Sequence, residues 1–525
     1  MKLISSIVIS ALSLSSQVLS AQGLDPAAAT KPPTDTWATY NGDYSGQRYS
    51  PLKQINTSNV GAITLGWVFQ THTATVKSTP LLVNGILYFT VPDHVWAVDA
   101  RTGRQIWHYH YNSEGGDHIG NRGVGIYGNW LYFTSPDGHV VSLNAKDGTL
   151  RWKVELADVK LGYFATVAPL AIRNHVIVGV SGDVTDVPGF LESVDPETGE
   201  MQWRWNTQPK KGEPGSETWP TDSDAIEHGG GMTWITGSYD PELNLLYWGT
   251  GNPNPVLAGD GRPGDNLYTC SIVALNPDNG KLVWHFQPSP HDVHDWDAVQ
   301  TPVLFDADFH GSKRKLLAQA SRNGYFFVLD RATGKNLLTA PFIESNWASG
   351  IDNIGRPIAK IDKYPTPDGS LVEPASDGST NWMAPSFDPD TGLFYVSARR
   401  IFSVFYKTAT GKAEGWGGRD RNLWGNSVLQ AIDYQTGKIR WSHELGEGAD
   451  IAGVLTTAGG LLFTADNSQN LLALDAATGR TLWHVNAGGG MESSPMTYEL
   501  GGKQYVLTAV QDSVYVWTLP AAPGN

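Results

Sequence analysis

Three aspartates and two histidines fall within twelve consecutive positions in the stretch SPHDVHDWDAVQ, residues 289–300. Within it, Asp295 and Asp297 stand on either side of Trp296. On a loop that turns toward a central axis, two carboxylates at this spacing can project to the same side, and beside a cation both stay ionised. Such a pair can bind a hard cation and act as a general base. A solvated turn or a local cap between strands is the alternative interpretation.

His291 and His294 in the same stretch raise the question of a zinc site. The chain has one cysteine, and no third histidine lies at a spacing typical of zinc ligands. We therefore expect these two histidines to make structural hydrogen bonds.

A short pattern recurs along the chain and predicts the elements that must position the carboxylates. It consists of alternating apolar residues, an Asp or Asn, three residues, a Gly, three residues and a Trp. Seven copies end at Trp107, Trp152, Trp203, Trp284, Leu338, Trp441 and Trp483, with Leu338 in the Trp position of its copy. Fixed spacing within each copy indicates one structural unit used many times.

Each copy predicts a β-hairpin whose glycine takes a positive φ in the turn and whose second strand carries the Trp. A lone hairpin cannot bury its faces, whereas four-stranded blades stacked in a ring can. The sequence therefore predicts an all-β fold, an eight-bladed β-propeller with tryptophan-docking motifs. The Trp residues are expected to pack between adjacent blades. Trp67 is expected to be the eighth residue of this kind, and the C-terminal strands are expected to share its blade. The long intervals 203–284 and 338–441 are expected to carry insertions.

The N-terminus predicts export. Residues 1–21 contain an early Lys, an apolar run and small residues at Ser20 and Ala21, which indicates a cleaved signal peptide and a periplasmic or secreted protein. We expect a leader segment over 22–35 and the propeller over 36–525. Since no later run of about twenty apolar residues occurs, we expect no transmembrane helix in the mature chain.

The net charge and the single cysteine limit the kinds of binding and redox partner that we expect. The formal net charge is -15 and no basic stripe occurs, so nucleic-acid and anionic-membrane partners are not expected. Cys270 is the single cysteine, which rules out an intrachain disulfide and a C-x-x-C-H motif for covalent haem. Electrons from any redox reaction must therefore leave through another molecule.

The segment WATYNGDYSGQRYSPLKQINTSNV, residues 37–60, followed by the Trp-bearing hairpins, resembles the quinoprotein alcohol dehydrogenases. The resemblance covers nearly the whole mature chain. It implies pyrroloquinoline quinone (PQQ) and a Ca²⁺ or lanthanide ion on the ring axis. It also implies oxidation of an alcohol by hydride transfer to metal-bound PQQ, with electrons passed to a separate acceptor such as a c-type cytochrome.

The resemblance also implies roles for individual residues. Asp295 takes the position of the general base, and Asn252, Asp295 and Asp297 take the positions of cation ligands. Arg322 takes the position of the arginine that contacts the quinone oxygens, and Trp234 that of the aromatic floor. The remaining cofactor-binding positions fall on Arg122, Thr166, Ser181, Gly182, Asn381 and Trp382. Lys77 stands where the family often has a rim glutamate, so it either pairs with a PQQ carboxylate or neutralises Asp295.

Other positions depart from the family pattern. Gly116 and Asp117 replace its adjacent cysteine pair, and Ile451 stands where many members have a tryptophan. The glutamate ligand falls on Val184, where Asp183 or Asp186 would have to reach in. These departures keep open a cofactorless propeller that acts as a binding or scaffold module, and a quinoprotein descendant that has lost its cofactor.

Overall fold

The computed structural model describes residues 23–182, 186–408, 415–449 and 452–520. The predicted signal peptide lies outside the described residues, as do Asp183, Val184 and Ile451. No helix within these described ranges has the length and apolar character needed to cross a bilayer.

Strands account for most of the regular structure of the described residues. In chain order they are β1 Tyr49–Ser50, β2 Thr64–Gln70, β3 Leu81–Val83, β4 Ile86–Val91, β5 His94–Asp99, β6 Gln105–His110, β7 Gly125–Tyr127, β8 Trp130–Thr134, β9 His139–Asn144, β10 Leu150–Glu155, β11 Leu170–Ile172, β12 His175–Gly179, β13 Phe190–Val194, β14 Met201–Asn206, β15 Ser238–Asp240, β16 Leu245–Gly249, β17 Ile272–Leu275 and β18 Leu282–Phe286. The chain continues with β19 Val303–Phe309, β20 Ser312–Ala320, β21 Tyr325–Asp330, β22 Asn336–Pro341, β23 Ala348–Ile351, β24 Pro357–Ala359, β25 Ser370–Val372, β26 Ser386–Asp388, β27 Leu393–Lys407, β28 Gly418–Asp433, β29 Ile439–Glu447, β30 Leu455–Thr457, β31 Leu461–Ala465, β32 Asn470–Asp475, β33 Thr481–Asn486, β34 Met496–Leu500, β35 Lys503–Val510 and β36 Ser513–Thr518. Short 3-10 helices cover Pro26–Thr30, Val60–Ala62, Val159–Leu161, Ser216–Thr218, Ala225–Glu227, Gly259–Gly261 and Ile361–Lys363.

These strands pair mainly with their neighbours in the chain. Five four-stranded antiparallel sheets are formed by β3–β6, β7–β10, β11–β14, β15–β18 and β19–β22. Two larger sheets contain β25–β29 and β30–β33, the latter joined by β1, while β23 and β24 form a ribbon. The all-β propeller prediction is confirmed.

One sheet joins the two ends of the chain. Strand β2, which carries Trp67, pairs with β36, and the C-terminal strands β34 and β35 complete its sheet. This is the shared sheet that the sequence predicted. Eight blades in a closed ring stay a prediction, which the eight sheets of four or five strands in the described ranges support.

The repeated Trp and Gly residues meet between successive copies. The Trp203 indole lies against Gly280 of the next hairpin, and its Nε1 donates to the Pro277 carbonyl oxygen at 2.7 Å. Further pairs with the same packing are Trp67 with Gly103, Trp107 with Gly148, Trp152 with Gly199, Trp284 with Gly334 and Trp441 with Gly479. In each pair the indole ring of one sheet lies against the turn of the next hairpin. Docking of the tryptophans between the blades of a ring stays a prediction, which these contacts support.

The two long intervals hold the least regular parts of the described chain. Between Trp203 and Trp284, short 3-10 helices and loops precede β15. Between Leu338 and Trp441 lie the β23–β24 ribbon and β25, followed by the paired strands β27 and β28 of 15 and 16 residues. Insertions were predicted in both intervals.

The Trp–Gly contact can be tested at Gly280. Its φ is +69°, and a Cβ atom there would lie 2.6 Å from Cε3 of Trp203. We expect Gly280→Ala to lower the free energy of unfolding by about 2–4 kcal/mol, since it adds overpacking to left-handed strain. The control is Gly502→Ala, because Gly502 has a φ of +74° and a Cβ atom there would meet nothing within 4 Å. Equal losses in chemical denaturation would show that the indole contact contributes nothing.

Candidate functional site

The predicted site residues occupy equivalent places in several sheets. Lys77, Trp234 and Trp382 each stand four residues before a strand, because β3 begins at Leu81, β15 at Ser238 and β26 at Ser386. Arg122 and Thr166 hold nearly the same place before β7 and β11. In a propeller, loops that enter the innermost strands converge at one end of the central channel. The fold thereby gathers residues that are far apart in the chain.

The acidic loop turns sharply at Asp295, whose φ is +70°. The buried Asp292 carboxylate supports the turn: its Oδ2 accepts the backbone N–H groups of His294, Asp295 and Trp296 at 3.3, 2.9 and 3.1 Å. Asp297 follows two residues after Asp295 and is also buried.

Arg322 lies between the two carboxylates. Its Nη1 is 3.3 Å from Oδ2 of Asp295 and donates to the Asp295 carbonyl oxygen at 2.8 Å. Its Nη2 is 3.4 Å from Oδ2 of Asp297 and donates to Oδ1 of Asn381 at 3.3 Å. Only 8% of the Arg322 side chain is exposed, so the ion pairs are formed largely out of water.

Asp297 connects the acidic loop to two other loops. Its Oδ1 accepts the backbone N–H of Asn252 at 2.6 Å, and its Oδ2 accepts the indole N–H of Trp234 at 2.8 Å. The Asn252 side-chain nitrogen donates to the Pro253 carbonyl oxygen at 3.1 Å, which leaves its amide oxygen as the atom that can bind a cation.

Trp234 is the aromatic centre of the site. The guanidinium carbons of Arg122 and Arg322 lie 4.7 and 5.4 Å from its ring centroid, within the range of cation–π contacts. Arg122 is also 5.3 Å from the ring of Trp382. An aromatic surface flanked by two guanidinium groups is suited to a flat, anionic ligand.

Two hydroxyl groups extend the site beyond Arg122. Nη1 of Arg122 donates to Oγ1 of Thr166, which is 3.2 Å from Oγ of Ser181. Gly182 follows directly. Nearly all of the predicted site residues are therefore linked by contacts, namely Arg122, Thr166, Ser181, Trp234, Asn252, Asp295, Asp297, Arg322, Asn381 and Trp382.

Lys77 has a partner that the sequence did not predict. Its Nζ is 2.9 Å from Oε2 of Glu492, and its side chain packs beside Gly120. Glu492 lines a cavity of about 330 Å³ together with Trp382 and Arg399. Glu492 stands four residues before β34, which begins at Met496. This is the same spacing before a strand as for Lys77, Trp234 and Trp382, and it is the sequence signal that would have identified Glu492.

The two histidines of the acidic loop make structural contacts. His294 stacks on Trp296 with ring centroids 4.2 Å apart, and its Nε2 is 2.9 Å from the Lys363 carbonyl oxygen. Burial lowers the pKa of His294 to about 4, so it is neutral at physiological pH. His291 places Nδ1 2.9 Å from the Gly264 carbonyl oxygen. Structural hydrogen bonds were predicted for both.

The departures from the family pattern have local explanations. Gly116 has a φ of +79°, and a Cβ there would lie 1.9 Å from the Pro136 carbonyl oxygen, so this backbone path excludes a cysteine. Asp186, one candidate for the missing carboxylate ligand, instead has its oxygens 2.8 and 2.9 Å from Nδ1 of His228. In the portion of the chain that the structure covers, no group of three or more His, Cys, Asp and Glu side chains could hold a metal ion.

Comparison with protein families places the chain among known sequences. The family described as PQQ: Glucose/ethanol/alcohol dehydrogenase, beta-propeller domain, matches residues 37–346 and 424–506. The segment between these ranges includes the β23–β24 ribbon, β25 and β27, and it falls outside the match.

Individual relatives agree with the family match. The quinoprotein alcohol dehydrogenase PedH of Pseudomonas putida (strain KT2440) is 38% identical over 503 residues, which cover 88% of this chain and 83% of PedH. The solved structure of quinohemoprotein alcohol dehydrogenase ADHIIG from Pseudomonas putida HK5 has a TM-score of 0.89 and 33% identity, over 96% of this chain and 84% of that one. A europium-containing methanol dehydrogenase has a TM-score of 0.86 and 30% identity, over 94% and 99%.

The Trp234–Asp297 hydrogen bond can be measured without any ligand. We expect Trp234→Phe to lower the free energy of unfolding by about 1–3 kcal/mol beyond the effect of ring size, because a buried carboxylate loses a donor. Trp152→Phe is the control, since the Trp152 indole nitrogen has no hydrogen-bond partner among the described residues. Chemical denaturation of both variants separates the loss of the hydrogen bond from the effect of the smaller ring. Equal decreases in the free energy of unfolding would contradict the expectation.

Proposed function

The chain belongs to the PQQ-dependent alcohol dehydrogenases, and on that premise we propose that it oxidises an alcohol with PQQ and a cation bound among the residues described above. One observation carries the proposal: Asp295 and Asp297 are held against a buried arginine beside Trp234, whose ring lies against two guanidinium groups. Cation ligands, anion-binding groups and an aromatic surface thus occur together.

The donor set fits the cofactor. PQQ is a flat molecule with three carboxylates, and when bound it supplies the electrophilic carbonyl that accepts hydride from the alcohol carbon. Trp234 would contact its plane and Arg322 its quinone oxygens. Arg122, Thr166, Ser181, Gly182, Asn381 and Trp382 would bind around its rim. Lys77 would exchange Glu492 for a cofactor carboxylate.

The donor set also fits a hard cation. Asp295 and Asp297 offer carboxylate oxygens, and Asn252 offers an amide oxygen, which are ligand types that Ca²⁺ and lanthanide ions take. Asp297 already contacts the Asn252 loop through a backbone hydrogen bond of 2.6 Å. The two loops that would supply all three ligands are therefore held together by the protein itself.

Asp295 is the proposed general base. Its side chain is 15% exposed, and its carboxylate lies 3.3 Å from a guanidinium nitrogen of Arg322, whose positive charge stabilises the ionised form. In that form it accepts the hydroxyl proton of the alcohol while hydride leaves the carbon. The proton acceptor is only partly exposed to solvent, and Arg322 fixes its position.

The electrons pass to a separate acceptor such as a c-type cytochrome. Cys270 is the single cysteine, so the chain carries no C-x-x-C-H motif for covalent haem attachment. A periplasmic or secreted location is proposed on the N-terminal sequence. The proposed organisation is a cleaved signal over 1–21, a leader over 22–35 and an eight-bladed propeller over 36–525.

Reconstitution tests the proposal. Purified protein mixed with PQQ and either Ca²⁺ or a light lanthanide should show quenched tryptophan fluorescence and should reduce an artificial electron acceptor when alcohols are added. We expect Asp295→Asn to lower kcat by about 100-fold or more while the quenching persists, because the amide oxygen can still bind a cation but the amide cannot accept the substrate proton. Absence of quenching and of turnover with both metals would favour the cofactorless binding module.

The charge of Asp297 should contribute more to turnover with a trivalent ion than to turnover with a divalent one. Asp297→Asn removes one negative charge and keeps one oxygen acceptor, so it retains one of the two hydrogen bonds donated by Trp234 and by the Asn252 backbone. Because Coulomb attraction scales with ionic charge, we expect kcat with La³⁺ to fall about tenfold more than kcat with Ca²⁺. Parallel titrations with each metal provide the measurement, and an equal fall with both would remove Asp297 from selection between them.

A further inference from the structure

We propose that Asp292 is a positioning residue that holds the catalytic base in place, and that Arg262 couples its loop to the loop of the amide ligand. This inference rests on the proposed function of Asp295. Neither side chain was singled out by the sequence pattern, and neither contacts the proposed cofactor positions through any described hydrogen bond.

The Asp292 carboxylate accepts hydrogen bonds from backbone N–H groups of its own turn. Only 4% of the residue is exposed, and one oxygen, Oδ2, receives the N–H groups of three residues, His294, Asp295 and Trp296. Hydrogen bonds to an ionised acceptor are about twice as strong as neutral ones. Its other oxygen, Oδ1, has no hydrogen-bond partner in the described parts of the chain. The carboxylate therefore acts as an anchor for the turn.

The turn needs an anchor because Asp295 is strained. The left-handed region is disfavoured by about 1–2 kcal/mol for most residues, and Asp is among the few that adopt it when local hydrogen bonds support it. Asp295 has a φ of +70°, and its own N–H is one of the three that Asp292 accepts, at 2.9 Å. In this conformation both its carbonyl oxygen and its carboxylate meet Arg322. Without Asp292 the backbone is free to relax, and the base would move away from Arg322.

Arg262 extends the anchor to the neighbouring loop. It is completely buried, and its Nη2 donates to the carbonyl oxygens of Asp292 at 2.6 Å and Pro255 at 2.9 Å. Its Nη1 donates to Oδ1 of Asn266 at 2.8 Å. Pro255 is three residues after Asn252, so one guanidinium joins the loop of the amide ligand to the loop of the base. A shift of either loop would be transmitted to the other.

A matched pair of alanine variants tests the anchor. Asp388 resembles Asp292: it is 1% exposed, it accepts the N–H of Asp390 at 2.8 Å in a turn, and burial raises the pKa of each carboxyl to about 6. Asp388 contacts none of the site residues through a described hydrogen bond. Asp292→Ala and Asp388→Ala should therefore destabilise the fold similarly, whereas only Asp292→Ala should affect the site.

The reconstituted holoenzyme provides the first readout. We expect Asp292→Ala to lower kcat by about 10–100-fold, the effect of misplacing a reacting group by about 1 Å, with KM and the PQQ quenching midpoint within about threefold of wild type. Asp292→Asn, whose amide oxygen still accepts the N–H groups, should restore kcat to within about threefold. A kcat for Asp292→Ala equal to that of Asp388→Ala would overturn the inference.

Terbium binding to the protein without PQQ provides a readout that is independent of turnover. We expect tryptophan-sensitised Tb³⁺ luminescence to give an affinity about tenfold weaker in Asp292→Ala than in Asp388→Ala, since Asp295 would leave the ligand set. Should Asp292→Ala not fold, Asp292→Leu compared with Asp388→Leu decides the matter, because leucine fills the space of the carboxylate but accepts no N–H group. Equal Tb³⁺ affinities and equal kcat values in that pair would overturn the inference. Wild-type protein that binds Tb³⁺ without turnover defeats the proposed function alone, and wild-type protein that binds no Tb³⁺ defeats both.

Discussion

A buried guanidinium held between two carboxylates is the interaction on which the site depends. Removing such charges from water costs several kcal/mol for each ion, and good geometry must recover that cost. Arg322 meets this requirement with contacts to both carboxylates and to Asn381. The same contacts hold three loops together, so the charge cluster fixes the relative positions of the residues on which the proposed cation site and proton acceptor depend.

The propeller makes this charge cluster possible. Each sheet is short and its strands pair with close neighbours in the chain, but the segments before the first strands meet across the molecule. Indole rings pack on glycines of the following turn and connect successive sheets, as Trp203 does with Gly280. Loops mounted on such a scaffold can hold strained backbone, and Asp295 is the example at the site.

Two of the departures from the family pattern, at Gly116 and Lys77, lie away from the contacts around Trp234. Gly116 occupies a backbone path that has no room for a side chain, so the loop there is closed by packing against Pro136. At another point of the rim, Lys77 is balanced by Glu492. A charge reversal at one rim position is thus accompanied by an opposite charge on the adjoining sheet, and the group around Trp234 keeps its own contacts.

The sequence by itself determined the strands and the hairpin turns, because alternation and a positive-φ glycine act within a few residues of each other. The contacts of each Trp with a glycine of the next hairpin, such as Trp203 with Gly280, join residues far apart in the chain and were decided by the packing of the sheets. With the family resemblance it also located the residues around Trp234. Only the tertiary structure decided that Lys77 pairs with Glu492, that Asp186 pairs with His228, and that Asp292 and Arg262 support the acidic loop. Ion pairs and buried hydrogen bonds depend on distances of about 3 Å between atoms, and such distances between remote residues exist only after the sheets have packed.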